Sequence, residues 1–220
     1  RLAEVIEAHA PDPGLADLSA EAEDRYDAES DGYDIANTPR LYFSPQRVAR
    51  MLARQLADPD PDLAVLDLAC GTGLTGAALA ELGYRNLTGA DISSQMLDAA
   101  RAKGIYRRLE QVDLHGPLPF APEGFAGIAC AGSFYEGLVQ ARALGRMLPL
   151  LQPKGWLACD INTGAWLRGG FAPLLVALQD GGLIDQLRIE TGRFFARAYL
   201  EPDADFSELE GRYVLARRSA

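Results

Sequence analysis

The sequence predicts an α/β fold, one mixed and largely parallel sheet with helices on both faces. Three observations carry this reading. Short apolar runs bounded by Gly and Pro alternate with stretches whose apolar residues recur at helical spacing. The first run, LAVLDLAC (63–70), opens directly into a glycine-rich turn. Acidic residues then stand at or near the ends of the first three runs, at Asp67, Asp91 and Asp113.

The elements follow in order. Leu2, Val5, Ile6 and His9 share a helical spacing, and the acidic stretch through Asp34, broken by Pro11, Pro13, Gly14 and Gly32, reads as a short helix or two around a loop. Ser44 as N-cap and Pro45 in the first turn begin a helix that runs to about Ala57, stopped by Pro59 and Pro61. A buried parallel strand (63–70), a helix closed by Gly83, a strand over 86–91 and a helix over Ser93–Lys103 give two strand–helix units. Strands at 106–113, 125–132 and 155–162 continue the rhythm, with a helix at Tyr135–Leu151 and another at Phe171–Asp180. The tail segments 183–190, 193–201 and 211–219, with turn signals at Gly192 and from Pro202 to Asp205, suit antiparallel strands.

The chain of 220 residues, 48% apolar and 24% charged, is long enough for one large domain. Its mean hydropathy of -0.06 fits a soluble globule with no membrane association. The net charge of -10 opposes nucleic-acid binding, which depends on clustered cations. Residues 1–36 hold 11 acidic against 2 basic side chains, so nine of the ten net charges lie there and the remainder is nearly neutral. The expected division is an acidic lid segment at 1–44 and a main domain at 45–220. Cys70, Cys130 and Cys159 sit in apolar runs without ligand-like spacing, which points to buried reduced thiols, no metal, and a cytoplasmic protein. The chain begins at Arg1 and not Met, which leaves a removed leading segment open. A monomer and a homodimer both fit the sequence.

VLDLACGTGLTG (65–76) places Gly71, Gly73 and Gly76 as GxGxxG between strand and helix, where a ligand can approach the backbone. Asp91, 18 positions beyond Gly73, suits a ribose diol. Together with DISSQML, VDLHGPLPF and LQPKGWLA, this resembles the class I S-adenosylmethionine-dependent methyltransferases. The resemblance implies a Rossmann-like, seven-stranded doubly wound sheet, S-adenosylmethionine as cofactor and a small-molecule acceptor. It implies that Asp67 orients the methionine ammonium, that the backbone from Ala69 through Gly71 to Gly73 passes beneath the methionine, and that Asp91 holds the ribose. Ile92 and Met96 would flank adenine, with Asp113 and the Leu114 amide at its edge. RYDAESDGYDIANTPRLYF (25–43) is similar to the lid of the Williams-Beuren-region methyltransferase-like group, which implies that Tyr26, Tyr33 and Arg40 close over the methionine end. Two departures stand out: Lys154 where a glycine is commoner, and Ala126 where the family carries an acid.

The acceptor side is read from position. Phe134, Tyr135 and Glu136 follow the fourth strand and Trp166 the fifth, so with Tyr33 they are candidates for the acceptor pocket, and His115 and Glu136 are the candidate bases. Cys70 lacks a nearby base in sequence and reads as packing, not as a nucleophile. Two other functions compete. An NAD-dependent oxidoreductase shares the glycine loop but leaves LDLACGTG and LQPKG unexplained, and a cofactor-binding protein without turnover would keep the same fold. AGSFYE after the fourth strand lacks the paired prolines of DNA amino-methyltransferases.

Overall fold

A computed structural model describes residues 1–10, 18–29, 33–38, 40–56, 58–196 and 210–220. The predicted strand-like segment 193–201 falls largely outside them. Seven strands form one sheet in the order β3-β2-β1-β4-β5-β7-β6. They are β1 (Ala64–Leu68), β2 (Asn86–Asp91), β3 (Arg108–Gln111), β4 (Phe125–Phe134), β5 (Leu151–Asn162), β6 (Ile184–Arg193) and β7 (Glu210–Arg218). The first five pair in parallel, with Leu66 opposite both Thr88 and Ile128. β7 returns antiparallel between β5 and β6, placing Cys159 beside Val214. The predicted α/β class and doubly wound mixed sheet are what the chain forms.

Burial explains the sequence pattern. β1 and β4 are covered on both faces, so they read as continuous apolar runs, whereas β3 and β6 at the edges alternate or stay exposed. Successive residues point to opposite faces. Leu66 and Leu68 enter the larger core with Ile128, Leu144, Leu157 and Leu174. Val65 enters the other, with Val48, Leu52, Leu79 and Trp156. Helices α7 (Ala141–Met147) and α9 (Phe171–Asp180) cover the first face, and α4 (Ser44–Ala53) and α5 (Leu74–Glu81) the second. Among the described residues, no helix is long and apolar enough to cross a membrane.

Three boundaries differ from expectation. Ser44 is the first residue of α4 and not its cap; it is buried, and its hydroxyl lies 3.1 Å from that of Tyr213. The helix expected at Tyr135–Leu151 is confined to α7 and a following 3-10 turn (Leu148–Leu150), because residues 135–140 form a loop at the sheet's carboxyl edge. A short helix, α8 (Thr163–Arg168), capped by the Asn162 side chain, was not anticipated. In the N-terminal segment, α1 (Leu2–His9) packs on α7 and α9 with Ile6 buried, so it belongs to the body of the fold. Lys154 takes the left-handed conformation, φ 66°, which is why glycine suits that turn.

The junction of β5, β7 and β6 depends on close backbone approach at Gly211, where an added Cβ would lie 2.2 Å from the Ile161 carbonyl and 2.4 Å from the Phe194 ring. Gly211→Ala is therefore expected to destabilise the chain by ~1–3 kcal/mol through overpacking, seen as a lower urea midpoint at unchanged m-value.

Candidate active site at the carboxyl edge of the sheet

The carboxyl ends of β1 to β4 open onto a partly enclosed cavity. The loop after β1 forms its floor. Ala69, Gly71 and Gly73 all take positive φ, at 53°, 53° and 95°. Nothing lies within 4 Å of a Cβ placed on Gly71, so this residue faces open space, while one on Gly73 would come within 3.0 Å of Tyr106. Ala69 and Gly71 line the cavity; Gly73 lies behind them.

Asp91 holds this loop in place. Its Oδ2 accepts the Gly71 amide at 2.8 Å and its Oδ1 accepts the Ser93 amide at 3.0 Å, while the residue still borders the cavity. Burial raises its pKa, and the two amides oppose that shift. Ser93 in turn caps helix α6 (Ser94–Ala102) by accepting the Met96 amide. Ile92 and Met96 line the wall beside Asp91.

Asp67 sits elsewhere. It shares the face of Val65, so strand alternation turns it under α5 and away from the cavity wall. It is fully buried; the Tyr106 hydroxyl donates to Oδ2 at 2.6 Å and Oδ1 has no hydrogen-bond partner. Burial pushes its pKa up to about 7, against the Tyr106 bond. Tyr106 also explains the third glycine of the motif, since a Cβ on Gly76 would lie 2.1 Å from its hydroxyl. The sequence reading missed Tyr106; the one signal was an aromatic residue in the charged stretch after α6.

At the end of β3, Asp113 Oδ1 accepts both the His115 amide at 2.8 Å and its Nδ1 at 3.0 Å, while His115 Nε2 lies 3.1 Å from the Leu138 carbonyl. Asp113, Leu114 and His115 all border the cavity. Each ring nitrogen of His115 faces an oxygen, Asp113 Oδ1 on one side and the Leu138 carbonyl on the other, so the nitrogen that carries the proton donates it within this pairing. The imidazole ties two loops together, which does not suit the expected base.

Glu136 departs further. It is exposed, off the cavity wall, and forked to the Arg168 guanidinium, which holds its carboxyl below the ordinary range. Phe134 is buried in the core with its ring edge-on to Phe171 at 5.1 Å. Tyr135 packs against Phe194, and Trp166 packs on the larger core with Arg212 over its ring. Neither of these is on the cavity wall, and the exposed Arg40 is not there either. Strand and helix phase account for these placements: position after a strand brings a residue to the correct edge, but its side-chain direction is set by packing. The cysteines are buried and free, and burial pushes the Cys70 thiol up, as a packing role requires.

The N-terminal acids meet this edge. Helix α2 (Leu18–Glu29) brings Glu23 to Gln111, 2.9 Å, and Asp27 to the Ser93 hydroxyl and the Gln95 amide. From α3 (Tyr33–Ala36), Asp34 accepts from Thr72 in the glycine loop and pairs with Lys103 at 2.6 Å, while Lys103 also donates to the Thr72 carbonyl. Tyr26, Tyr33 and Tyr42 roof the cavity. Among its described lining residues there is no Lys or Arg.

Residues 65–155 match the family model described as a methyltransferase domain. The chain is 34% identical over 154 residues to human methyltransferase-like protein 27, covering 69% of this chain and 62% of that one. It is 37% identical over 135 residues to the demethylmenaquinone methyltransferase of Corynebacterium urealyticum, covering 60% and 56%. The chain thus spans about three-fifths of these relatives' lengths. In three dimensions it is similar to the [4+2]-cyclase SpnF, with a TM-score of 0.63 at 19% identity over 92% of this chain and 97% of that one. The matched region runs from the glycine loop through the LQPKG turn, over the parallel strands whose ends build the cavity, and on that ground the chain belongs to the class I S-adenosylmethionine-dependent methyltransferases.

Proposed function

We propose that the protein transfers a methyl group from S-adenosylmethionine to a small-molecule acceptor. The observation that carries this reading is the Asp91 clamp on Gly71, which presents a bare loop backbone and a buried carboxylate to one cavity. The residues fit the cofactor. Asp91 has acceptor capacity left for a ribose diol, Ile92 and Met96 offer apolar faces to adenine, and Asp113 with the Leu114 amide stands at the adenine end. Ala69 and Gly71 provide a backbone path for the methionine portion.

Charge separates this cofactor from a dinucleotide. A wall with Asp91, Asp113 and three tyrosine rings, and no Lys or Arg among its described residues, suits a sulfonium and an ammonium and does not suit a pyrophosphate. When bound, S-adenosylmethionine supplies an electrophilic methyl group on positively charged sulfur. The chain's part is to align the acceptor and exclude water, beneath a lid of α2 and α3 latched through Asp34, Lys103 and Thr72. The demethylmenaquinone methyltransferases among the relatives favour a small-molecule acceptor. Among the described lining residues, His115 is engaged by Asp113 and Leu138 and Asp91 by the Gly71 and Ser93 amides, so alignment is the main source of rate in this reading.

Asp91→Ala should weaken S-adenosylhomocysteine binding by ~1.5–3 kcal/mol in calorimetry, and reduced nicotinamide dinucleotide should not bind the wild-type chain. Unchanged affinity in Asp91→Ala would refute the ribose role. Hydrogen exchange should slow in residues 18–38 when S-adenosylhomocysteine is added.

Asp67 couples stability to pH. The folded carboxyl keeps its proton up to about pH 7, against an ordinary value of 3.8. Between these values the folded state binds more protons than the unfolded one, so stability falls as pH rises through the window. Asp67→Asn removes that slope and should melt above the wild type at pH 8, with the gap closing toward pH 4. The ionised carboxyl favours a cationic ligand, so S-adenosylmethionine affinity should rise from pH 6 to pH 8 in the wild type and stay flatter in Asp67→Asn.

A further inference from the structure

Tyr42 is held on several sides in the roof. Its ring stacks on Phe195 with centroids 4.6 Å apart and planes 13° from parallel, its backbone bridges to the same residue, and its amide donates to the Thr38 carbonyl at 2.8 Å. It is only 4% exposed, and that remainder borders the cavity. Among the described residues, its hydroxyl has no hydrogen-bond partner. Phenylalanine would keep the stack and spare the desolvation of an unpaired hydroxyl, so packing alone gives no reason for tyrosine here.

The hydroxyl reaches over Gly132, where a Cβ would lie 2.2 Å from Oη and the backbone is left-handed, φ 76°. The Gly132 amide is held by Asp160, which accepts it on Oδ1 at 2.8 Å; Asp160 is 1% exposed and its Oδ2 has no partner. Burial, with Tyr135, Asp160, Tyr33 and Tyr213 close by, raises the Tyr42 pKa, so the group is a neutral hydroxyl able both to donate and to accept.

Strand order says which ligand it meets. In the proposed function, the cofactor lies along the ends of β1, β2 and β3, and β4 is on the opposite side of β1 from β2. Tyr42 over Gly132 is therefore on the side left for the acceptor. The wall there includes Pro45, Ala131, Ser133, Leu138 and Val139, with the His115 imidazole held beside Leu138. A neutral, flat molecule with a hydroxyl group matches this surface; a carboxylate or phosphate has no Lys or Arg to meet among the described lining residues.

We propose that the Tyr42 hydroxyl binds the hydroxyl group of a neutral phenolic acceptor, and that Asp160 is a positioning residue that fixes Gly132 so that Tyr42 can reach it. This rests on the methyltransferase reading and specifies its acceptor site. The test is calorimetric titration of 2-naphthol into the full chain saturated with S-adenosylhomocysteine. The wild type is expected to bind one equivalent and Tyr42→Phe to bind at least tenfold more weakly, with S-adenosylhomocysteine affinity and melting temperature unchanged. Asp160→Asn, which keeps an acceptor for the Gly132 amide, is expected to retain 2-naphthol binding that Asp160→Ala loses. Equal binding by wild type and Tyr42→Phe, or no binding of 2-naphthol to the saturated wild type, overturns the proposal. Loss of S-adenosylhomocysteine in Tyr42→Phe alone also overturns it, because it puts Tyr42 in the cofactor site. Failure of the wild type to bind S-adenosylhomocysteine in the preceding titration is a separate result that defeats the methyltransferase reading itself.

Discussion

The bond from the Gly71 amide to the Asp91 carboxylate joins the ends of two neighbouring strands and sets the shape of everything above the sheet. The loop after β1 must turn sharply, and it does so with Ala69, Gly71 and Gly73 in the left-handed region. Such a path carries strain at Ala69 that Asp91 and the packing beneath must offset. The same carboxylate accepts the Ser93 amide, and Ser93 caps α6, so one buried side chain orders the floor and one wall of the cavity.

Three buried carboxyls mark this edge, and each does a different task. Asp91 borders the cavity with both oxygens bonded to backbone amides. Asp67 lies under α5 with Tyr106 on one oxygen and nothing on the other. Asp160 anchors Gly132 below Tyr42. Burial raises all three pKa values, to about 7 for Asp67 and about 6 for Asp160. Uncompensated negative charge at such a site costs stability and attracts cations. That is the electrostatic setting a sulfonium-bearing ligand requires, and it agrees with the lack of Lys and Arg among the described lining residues.

The acidic N-terminal segment acquires a location through the same edge. Glu23, Asp27 and Asp34 engage Gln111, Ser93 and Thr72, residues of the loops or strand ends that build the cavity. These polar contacts, part-buried at Ser93 and Thr72 and exposed at Gln111, fasten the segment to that edge. The tyrosines carried on or just after these helices, Tyr26, Tyr33 and Tyr42, form the roof.

By itself, the sequence determined the sheet, its helices and the residues that gather around Asp91, because these are local. Apolar runs between Gly and Pro mark strands wherever both faces are buried, and a glycine loop followed by an acid at the next strand end depends on spacing along the chain. Asp91, Ile92, Met96, Asp113 and Leu114 are found together for that reason. Only the tertiary structure decided where the residues after the fourth and fifth strands point. Phe134, Tyr135, Glu136 and Trp166 reach the correct edge, yet the core or Arg168 claims their side chains. Likewise, Tyr106 meets Asp67 across 39 positions, and Asp160 meets Gly132 across 28. A side chain's direction at a strand end, and the partner it finds there, follow from how two faces pack against different helices, and no periodicity along the chain records that.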